Sequence, residues 1–332
     1  MKILFRIDDG PSIGAGHLMR CFALAEAVSY RGGEVFLSTT KHSSLHKGWV
    51  NIDAKIFIEP RSIGSEKDLE ITNALVEHVN ADWLVVDGYS FSDSWLSRSE
   101  TLCRVLYIDD LGASNPKISA VLNHNPGAEL RCKTSYSQCQ RVLLGLNFFL
   151  LRQAWHNVNC RPESMRLLIT LGGDDQDERT LKMMKALILD GRPFIADVVS
   201  SAGDEGSFKE LKLAQAYPKN FVMHRAPVSL PELMARVSTV ICGGGITSVE
   251  AVSIGLFPII VILADNQKPA ADYMQSKNIA KKMSMLDGNN SDDVAHLTLN
   301  LMNENKKETS KSHFVNMNGC FRVIDIMGKG FI

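Results

Sequence analysis

The stretch Ile13-Gly14-Ala15-Gly16-His17-Leu18-Met19-Arg20-Cys21 decides how this chain is built. It follows an apolar run, residues 1–7, that predicts a buried first strand. It leads into Phe22-Ala23-Leu24-Ala25-Glu26-Ala27-Val28, whose spacing and composition favour a helix. The two glycines are therefore expected in a turn that joins a strand to a helix, with His17 at the N-terminus of that helix.

His17 is a candidate general base because of this position. Unpaired backbone N–H groups and the positive end of the helix dipole favour an anion there and oppose a second positive charge. The imidazole is therefore expected to be neutral near pH 7, as a base must be. A purely structural interpretation stays open, in which Gly14 and Gly16 shape a tight turn and His17 caps the helix.

Composition and charge indicate a globular chain with an ordinary core. Its 332 residues, 45% hydrophobic and 22% charged, are enough for two domains. A net charge of −1 provides no basic field, so nucleic acid is not an expected partner. No apolar run reaches the roughly 18 to 20 residues of a membrane span and no secretion signal is recognised, so we expect no membrane insertion and a cytoplasmic location. The seven cysteines form no C-x-x-C pair, which predicts reduced thiols rather than disulfides or a metal site.

Strand-like runs alternate with helix-compatible segments along the first half of the chain. The runs are residues 1–7, 34–39, 54–58, 83–86, 104–108 and 120–122. This alternation favours an α/β fold with a parallel sheet between two layers of helices. Ligands of such sheets bind at the carboxyl ends of the strands.

Acidic side chains follow three of these runs. Asp8 comes after the first, Asp87-Gly88-Tyr89 after the fourth, and Asp109-Asp110 after the fifth. Each acid alone could be an N-cap or a turn residue. Because acids occupy equivalent positions after three strands, a shared binding cleft is the favoured interpretation.

The second half of the sequence repeats the pattern. A strand at 166–171 runs into Gly172-Gly173, and a later strand at 239–242 runs into Gly243-Gly244-Gly245 before a helix. The N–H groups of such a turn suit a diphosphate. Glu250, about two helical turns further on, can accept hydrogen bonds from sugar hydroxyls, and Asn266 and Gln267 could contact a ligand from the next loop.

Two similar α/β halves imply two domains, residues 1–155 and 156–332, with a linker within 147–163. Apolar residues at helical spacing within 314–327 predict a last helix that packs on the body of the protein. This helix could pack back on the N-terminal domain.

Taken in order, the motifs resemble those of the UDP-sugar hydrolases of bacterial pseudaminic acid biosynthesis, which are relatives of the GT-B glycosyltransferases. The motifs are Arg6-x-Asp8, Ile13-Gly14-x-Gly16-His17-x-Met19-Arg20-Cys21-x-x-Leu24-Ala25, Asp87-x-Tyr89, Asp109-Asp110-Leu111, Leu144-Gly145 with Leu150-Leu151-Arg152, Leu171-Gly172-Gly173, and Gly243-Gly244-Gly245-x-Thr247-x-x-Glu250 with Asn266-Gln267. The block around His17 is the most specific part. The C-terminal glycine block occurs in many GT-B transferases and indicates only nucleotide-sugar binding.

The resemblance implies a GT-B fold, in which two Rossmann-like domains face each other across a cleft. The first domain would hold the sugar and the catalytic base, and the second would hold UDP. The implied reaction is hydrolysis of UDP-2,4-diacetamido-2,4,6-trideoxy-β-L-altropyranose with inversion, with His17 as the base for water and without a metal or cofactor. The implied substrate-binding residues are Asp8, Gly14, Gly16, Arg20, Tyr89, Asp110, Gly173, Gly243, Gly244, Gly245, Thr247, Glu250, Asn266 and Gln267. A UDP-sugar is thus the expected partner, and the chain is expected to act as a monomer.

Three alternatives remain beside hydrolysis: a GT-B transferase with a hydroxyl acceptor in place of water, a UDP-sugar 2-epimerase, and a catalytically silent nucleotide-sugar sensor. Gly88 departs from the resemblance, because such hydrolases often have a larger residue between the aspartate and the tyrosine. This departure bears on the identity of the sugar more than on the class of reaction.

Overall fold

The computed structural model describes residues 1–8, 16–43, 46–171, 178–200, 205–225, 228–284, 290–303 and 314–329. The chain divides into two compact units. The first comprises Met1–Gln153 and Asn316–Ile332, and the second comprises Ala154–Val315. The C-terminal segment therefore belongs to the first unit, whereas the limits 156–332 had assigned it to the second.

The first unit is built on a seven-stranded parallel sheet with the order β3-β2-β1-β4-β5-β6-β7. Its strands are β1 (Lys2–Ile7), β2 (Glu34–Thr39), β3 (Lys55–Ile58), β4 (Trp83–Asp87), β5 (Arg104–Ile108), β6 (Ala120–Asn123) and β7 (Arg141–Leu144). Its helices are α1 (Gly16–Tyr30), α2 (His46–Asn51), α3 (Glu66–Val79), α4 (Asp93–Ser99), α5 (Ala128–Arg131) and α12 (Gly319–Gly328). A short 3-10 turn lies at Leu146–Phe148, and a second one, Gln153–Trp155, begins at the last residue before the chain enters the second unit.

Both faces of the first sheet are buried, which explains why the run 1–7 is almost continuously apolar. Ile3 and Phe5 of β1 join an apolar cluster with α1 and α12, and Leu4 joins a second cluster with α3 and α4. Arg6 is the exception on the second face. It is fully buried and its guanidinium pairs with both carboxylate oxygens of Asp68 in α3 at 2.8 and 2.9 Å, so the buried charge has a partner.

Helix α12 completes the first unit by packing on α1. The ring of Phe321 lies 5.8 Å from that of Tyr30, and the indole N–H of Trp83 donates to the carbonyl oxygen of Met327 at 3.2 Å. Gly319 allows a close approach, because a Cβ there would lie 2.2 Å from the carbonyl oxygen of Phe149.

The second unit repeats the same strand order in a six-stranded parallel sheet, β10-β9-β8-β11-β12-β13. Its strands are β8 (Arg166–Thr170), β9 (Ile195–Ser200), β10 (Phe221–Arg225), β11 (Thr239–Gly243), β12 (Ile259–Val261) and β13 (Lys281–Met283). Its helices are α6 (Arg179–Asp190), α7 (Glu205–Ala216), α8 (Leu230–Met234), α9 (Ile246–Ser253), α10 (Lys268–Ser276) and α11 (Ser291–Asn303), with a 3-10 turn at Asp265–Gln267. Helices α6 and α11 bury one face of this sheet.

In each unit the first strand lies beside the fourth, β1 beside β4 and β8 beside β11. The order of the strands reverses direction at this pair, and such a reversal opens a crevice at the carboxyl ends of the strands. The predicted α/β class is confirmed by these two sheets.

The sequence failed to predict the outer strands β7 and β13, which lie at sheet edges. Strand β7 has only four residues, and β13 has three, of which two are lysines, so neither run is long enough to give a clear pattern. In the apolar run 259–263, strand β12 ends at Val261, because the N–H of Leu263 is bound by the side chain of Gln267 instead of a neighbouring strand.

Across the described ranges, no helix has both the length and the apolar character that a membrane crossing requires.

Candidate active site

The carboxyl end of the first sheet brings several predicted site residues together. His17 and Arg20 lie in the first turns of α1, while Tyr89 and Asp110 follow β4 and β5. Because β1, β4 and β5 are neighbours in the sheet, residues far apart in sequence meet at this edge.

His17 is the second residue of α1 and is 7% exposed. Its Nδ1 lies 2.5 Å from Oδ1 of Asp87, the last residue of β4. The rings of His17 and Tyr89 pack edge to face, with their centroids 4.9 Å apart. Nε2 of His17 has no hydrogen-bond partner among the described residues.

Arg20 lies three residues after His17 and therefore on the same face of α1. Its Nε and Nη2 bind the two carboxylate oxygens of Asp87 at 2.6 and 2.5 Å, and its Nη1 binds Oδ1 of Asp110 at 2.5 Å. Burial alone would lower the pKa of Arg20, but Asp110 and Asp87 raise it well above the usual value. The guanidinium is thus a permanent positive charge between two carboxylates.

Asp87 is not among the substrate-binding residues that the resemblance implies, although it is one of the acids that follow predicted strands. It is fully buried and also accepts a contact from the Cys21 thiol at 3.3 Å. Burial would raise the pKa of this carboxyl, but Arg20 and His17 outweigh burial and hold it well below its usual range. The available signal was its position directly after an apolar strand and before a glycine.

Asp110 is bound by three different side chains. Besides Arg20, the hydroxyl of Tyr89 donates to Oδ2 at 3.1 Å and the amide of Asn125 donates to Oδ1 at 3.1 Å. Burial raises the pKa of Asp110, but Arg20 outweighs it, so the net shift is downward. A carboxylate so fully engaged is a charge partner for Arg20 rather than a base.

Asp8 lies beside this cluster, directly after β1. It is 2% exposed and its Oδ2 accepts the hydroxyl of Ser90 at 2.7 Å. Gly88 packs against it with φ at +148°, and a Cβ at Gly88 would lie 2.1 Å from Cβ of Asp8. The glycine that departs from the hydrolase motif is therefore required by this backbone, because any larger residue would collide with Asp8.

His124, just after β6, is the other histidine near this edge. It is 1% exposed, stacks on Phe149 at 4.8 Å and accepts the backbone N–H of Leu150 through Nδ1 at 3.0 Å. Burial lowers its pKa to about 3. It is a neutral core imidazole that borders the cluster through its neighbour Asn125, which binds Asp110.

In the second unit, the predicted glycine turn joins β11 to α9. A Cβ at Gly243 would lie 2.7 Å from Leu263 and one at Gly244 would lie 2.9 Å from Cβ of Gln267, whereas Gly245 faces open space. The N–H groups of Gly244 and Leu263 both donate to Oε1 of Gln267 at 3.0 Å. Gln267 therefore fastens the turn to the following loop through its side-chain oxygen.

The remaining predicted residues of the second unit differ in exposure. Glu250 in α9 is 4% exposed and its Oε1 accepts the indole N–H of Trp155 at 2.8 Å. Thr247 is half-buried in the first turn of α9, and Asn266 is exposed in the 3-10 turn.

In the first unit, Gly16 is the first residue of α1. The predictions for Gly14 and Gly173 fall outside the described residues. Within the described part of the chain, no three His, Cys, Asp or Glu side chains are grouped as a metal site would need.

Comparison with known sequences identifies a distant relative. No protein-family model matches the chain. The uncharacterized protein MJ1062 of Methanocaldococcus jannaschii is 22% identical over 276 residues, which cover 79% of this chain and 55% of that protein. The chain thus spans about half the length of this curated relative.

Solved structures match nearly the whole chain. MurG of Acinetobacter baumannii matches with a TM-score of 0.66 and 13% identity over 99% of both chains. The spinosyn forosaminyltransferase SpnP matches with a TM-score of 0.67 and 13% identity over 99% of this chain and 100% of that one. The UDP-GlcNAc 2-epimerase of Neisseria meningitidis, solved with UDP-GlcNAc, matches with a TM-score of 0.65 and 11% identity over 99% and 100%. The predicted fold is confirmed: the chain has the GT-B fold of these structures.

Proposed function

We propose that this protein hydrolyses a UDP-linked 2,4-diacetamido-2,4,6-trideoxyhexose to UDP and the free sugar, as a step in pseudaminic acid biosynthesis. The observation that carries the proposal is the setting of His17. Its Nδ1 is bound by a buried carboxylate, and its Nε2 has no partner among the described residues. The GT-B fold supports a UDP-sugar substrate, and the motif block around His17 supports hydrolysis.

In the proposed reaction, Nε2 of His17 takes a proton from a water molecule while the water oxygen bonds to the anomeric carbon. The bond from that carbon to the β-phosphate oxygen breaks, and its electron pair leaves with UDP. Attack opposite the leaving group inverts the configuration. Because UDP is a good leaving group, the protein has to supply a base, orientation and stabilisation of the diphosphate charge.

Each unit would contribute its own groups to this substrate. In the first unit, Tyr89 is 46% exposed beside His17 and could contact the sugar, with Asp8, Arg20 and Asp110 shaping the surroundings. In the second unit, the N–H groups of the Gly243–Gly245 turn and of the start of α9 would bind the diphosphate.

Other groups of the second unit would orient the rest of the nucleotide sugar. Glu250 would bind the ribose, with Thr247 near the start of the same helix. Asn266 and the side-chain amide N–H₂ of Gln267 could donate to ligand oxygens, because the oxygen of Gln267 is already engaged.

The first test measures UDP release from UDP-activated diacetamido-trideoxyhexoses in the presence of EDTA, with wild type and His17→Ala. We expect wild type to release UDP and free sugar, and the variant to lose roughly 10²- to 10⁴-fold in kcat because the base is gone. UDP affinity, measured by calorimetry, should change little.

His42→Ala is the matched control, since His42 is exposed and outside the cluster. A His17→Ala variant that hydrolyses the substrate at the wild-type rate would contradict the role of His17. Loss of wild-type activity in EDTA that returns with a divalent cation would contradict the metal-free scheme.

A GT-B glycosyltransferase is the second candidate, favoured by the structural similarity to MurG and SpnP. In that case UDP would bind but would be released only when a hydroxyl acceptor is added. The same assay with and without candidate acceptor sugars separates the two reactions.

A further inference from the structure

We propose that Asp87, held by Arg20, is the positioning residue of His17: its carboxylate accepts the Nδ1–H and so selects the neutral tautomer whose Nε2 can accept a proton. The catalytic meaning of this tautomer rests on the proposed function. The tautomer itself is a property of the folded protein and can be tested without any substrate.

The ionisation state of Asp87 decides the direction of its hydrogen bond to His17. Asp87 is fully buried and receives two N–H groups of Arg20, one on each carboxylate oxygen. A carboxylate so placed carries no proton and can only accept. The 2.5 Å separation between Oδ1 and Nδ1 of His17 therefore requires the hydrogen to be on Nδ1.

Arg20 offers an alternative partner for Nδ1, and the geometry argues against it. Nη2 of Arg20 lies 3.1 Å from Nδ1. If Arg20 donated to an unprotonated Nδ1, the nitrogen lone pair would face the charged oxygen of Asp87 at 2.5 Å, which is repulsive. One of the two N–H groups of Nη2 donates to that oxygen at 2.5 Å, so Nη2 serves the carboxylate whether or not the second N–H points toward the imidazole.

Arg20 fixes the orientation of the Asp87 carboxylate in addition to balancing its charge. Two parallel N–H contacts define the plane of the Asp87 carboxylate, and a third contact ties Arg20 to Asp110. Asp110 is in turn bound by Tyr89, whose ring packs against the imidazole. The ring of His17 is thus held by a hydrogen bond to Asp87 and by a perpendicular aromatic contact with Tyr89.

The decisive measurement is the ¹⁵N chemical shift of both His17 nitrogens in ¹⁵N-histidine-labelled protein, taken at the high-pH limit where the ring carries one proton. His17→Gln identifies the signals. In wild type we expect Nδ1 to be protonated and Nε2 to be unprotonated. In Asp87→Asn the side-chain amide can donate to Nδ1, so the pattern should invert.

Kinetics provide the second readout. Asp87→Asn should lower kcat by roughly 10³- to 10⁴-fold with little change in KM, because the wrong nitrogen carries the proton. Asp109→Asn is the matched control, since Asp109 is also a buried strand-end acid but binds the backbone of its own loop and Tyr136. It should keep the wild-type tautomer.

The outcomes separate this inference from the proposed function. An Nε2–H tautomer in wild type overturns the inference, and this holds even if Asp87→Asn does not fold. An unchanged tautomer and rate in Asp87→Asn overturns it as well. If wild type has the expected tautomer but releases no UDP from any UDP-sugar, the positioning role of Asp87 is supported and the proposed hydrolase activity is contradicted.

Discussion

At the scale of single residues, the two histidines near the carboxyl end of the first sheet have different partners. His17 faces the carboxylate of Asp87, whereas His124 accepts a backbone N–H and stacks on Phe149. An imidazole bound to a carboxylate can be protonated without losing its partner, whereas protonation of His124 would break its bond to Leu150. Only the first arrangement suits a group that takes up a proton.

The buried state of His124 predicts a pH-dependent stability. Its pKa is lowered from the usual 6.5 to about 3 in the folded protein, mainly by burial. Between pH 3 and pH 6.5 the unfolded chain binds a proton at this residue that the folded chain does not. The free energy of unfolding is therefore highest above about pH 6.5 and decreases as the pH falls. The free energy of unfolding should gain about 1.4 kcal/mol per pH unit from this residue between roughly pH 4 and 6.

Urea denaturation of wild type and His124→Gln over this pH range measures the effect. The variant should have a lower free energy of unfolding at pH 7. Its free energy of unfolding should also depend less steeply on pH, by the equivalent of about one bound proton. Parallel pH profiles of the two proteins would show that His124 does not titrate in this way.

At the scale of elements, the glycine turn between β11 and α9 contains residues with different tasks. Gly244 leaves no room for a Cβ beside Gln267, whereas Gly245 faces open space with φ at −89°. Packing against Gln267 therefore requires a glycine at position 244. Gly245 leaves space that a ligand can occupy.

This difference predicts opposite behaviour of two alanine substitutions. Gly244→Ala should destabilise the protein by about 1–3 kcal/mol, because Gln267 and its loop must move. Gly245→Ala should change stability by less than about 0.5 kcal/mol but weaken UDP binding, if the diphosphate lies against this turn. Thermal unfolding and UDP calorimetry on both variants measure the two effects, and equal UDP affinity of wild type and Gly245→Ala would place the diphosphate elsewhere.

Local patterns predicted these elements well where both sides of a strand are buried. The order of β1 and α1 and the β11–glycine–α9 order follow from the pattern of apolar residues and glycines alone. The edge strands β7 and β13 escaped prediction because they have only four and three residues, too few to show a clear pattern.

At the scale of the whole molecule, the chain leaves the first unit after Gln153 and returns to it at Asn316. Helix α12 then buries Val323, Ile324 and Met327 against the first unit. The last segment is therefore part of the core of the first unit and not an appendage of the second.

Ending the chain at residue 315 should therefore unfold the first unit. The loss of several buried apolar side chains, each contributing roughly 1.5–3 kcal/mol, is comparable to the stability of an entire domain. Limited proteolysis and thermal unfolding should show loss of the first unit, while a chain ending at residue 329 should behave like wild type. A truncated protein that keeps a protease-resistant first unit would contradict the prediction.

The sequence by itself determined the α/β class, the glycine turn before α9 and the position of His17 at the start of a helix, because each depends on neighbours within about ten residues. Only the tertiary structure decided which groups meet those residues. Asp87 is 70 positions from His17, and its contact exists because β4 pairs with β1 in the sheet. In the same way, Gln267 reaches Gly244 across 23 positions and fastens the turn. Periodicity records which face of an element is buried, whereas strand order decides which side chains meet at the end of the sheet.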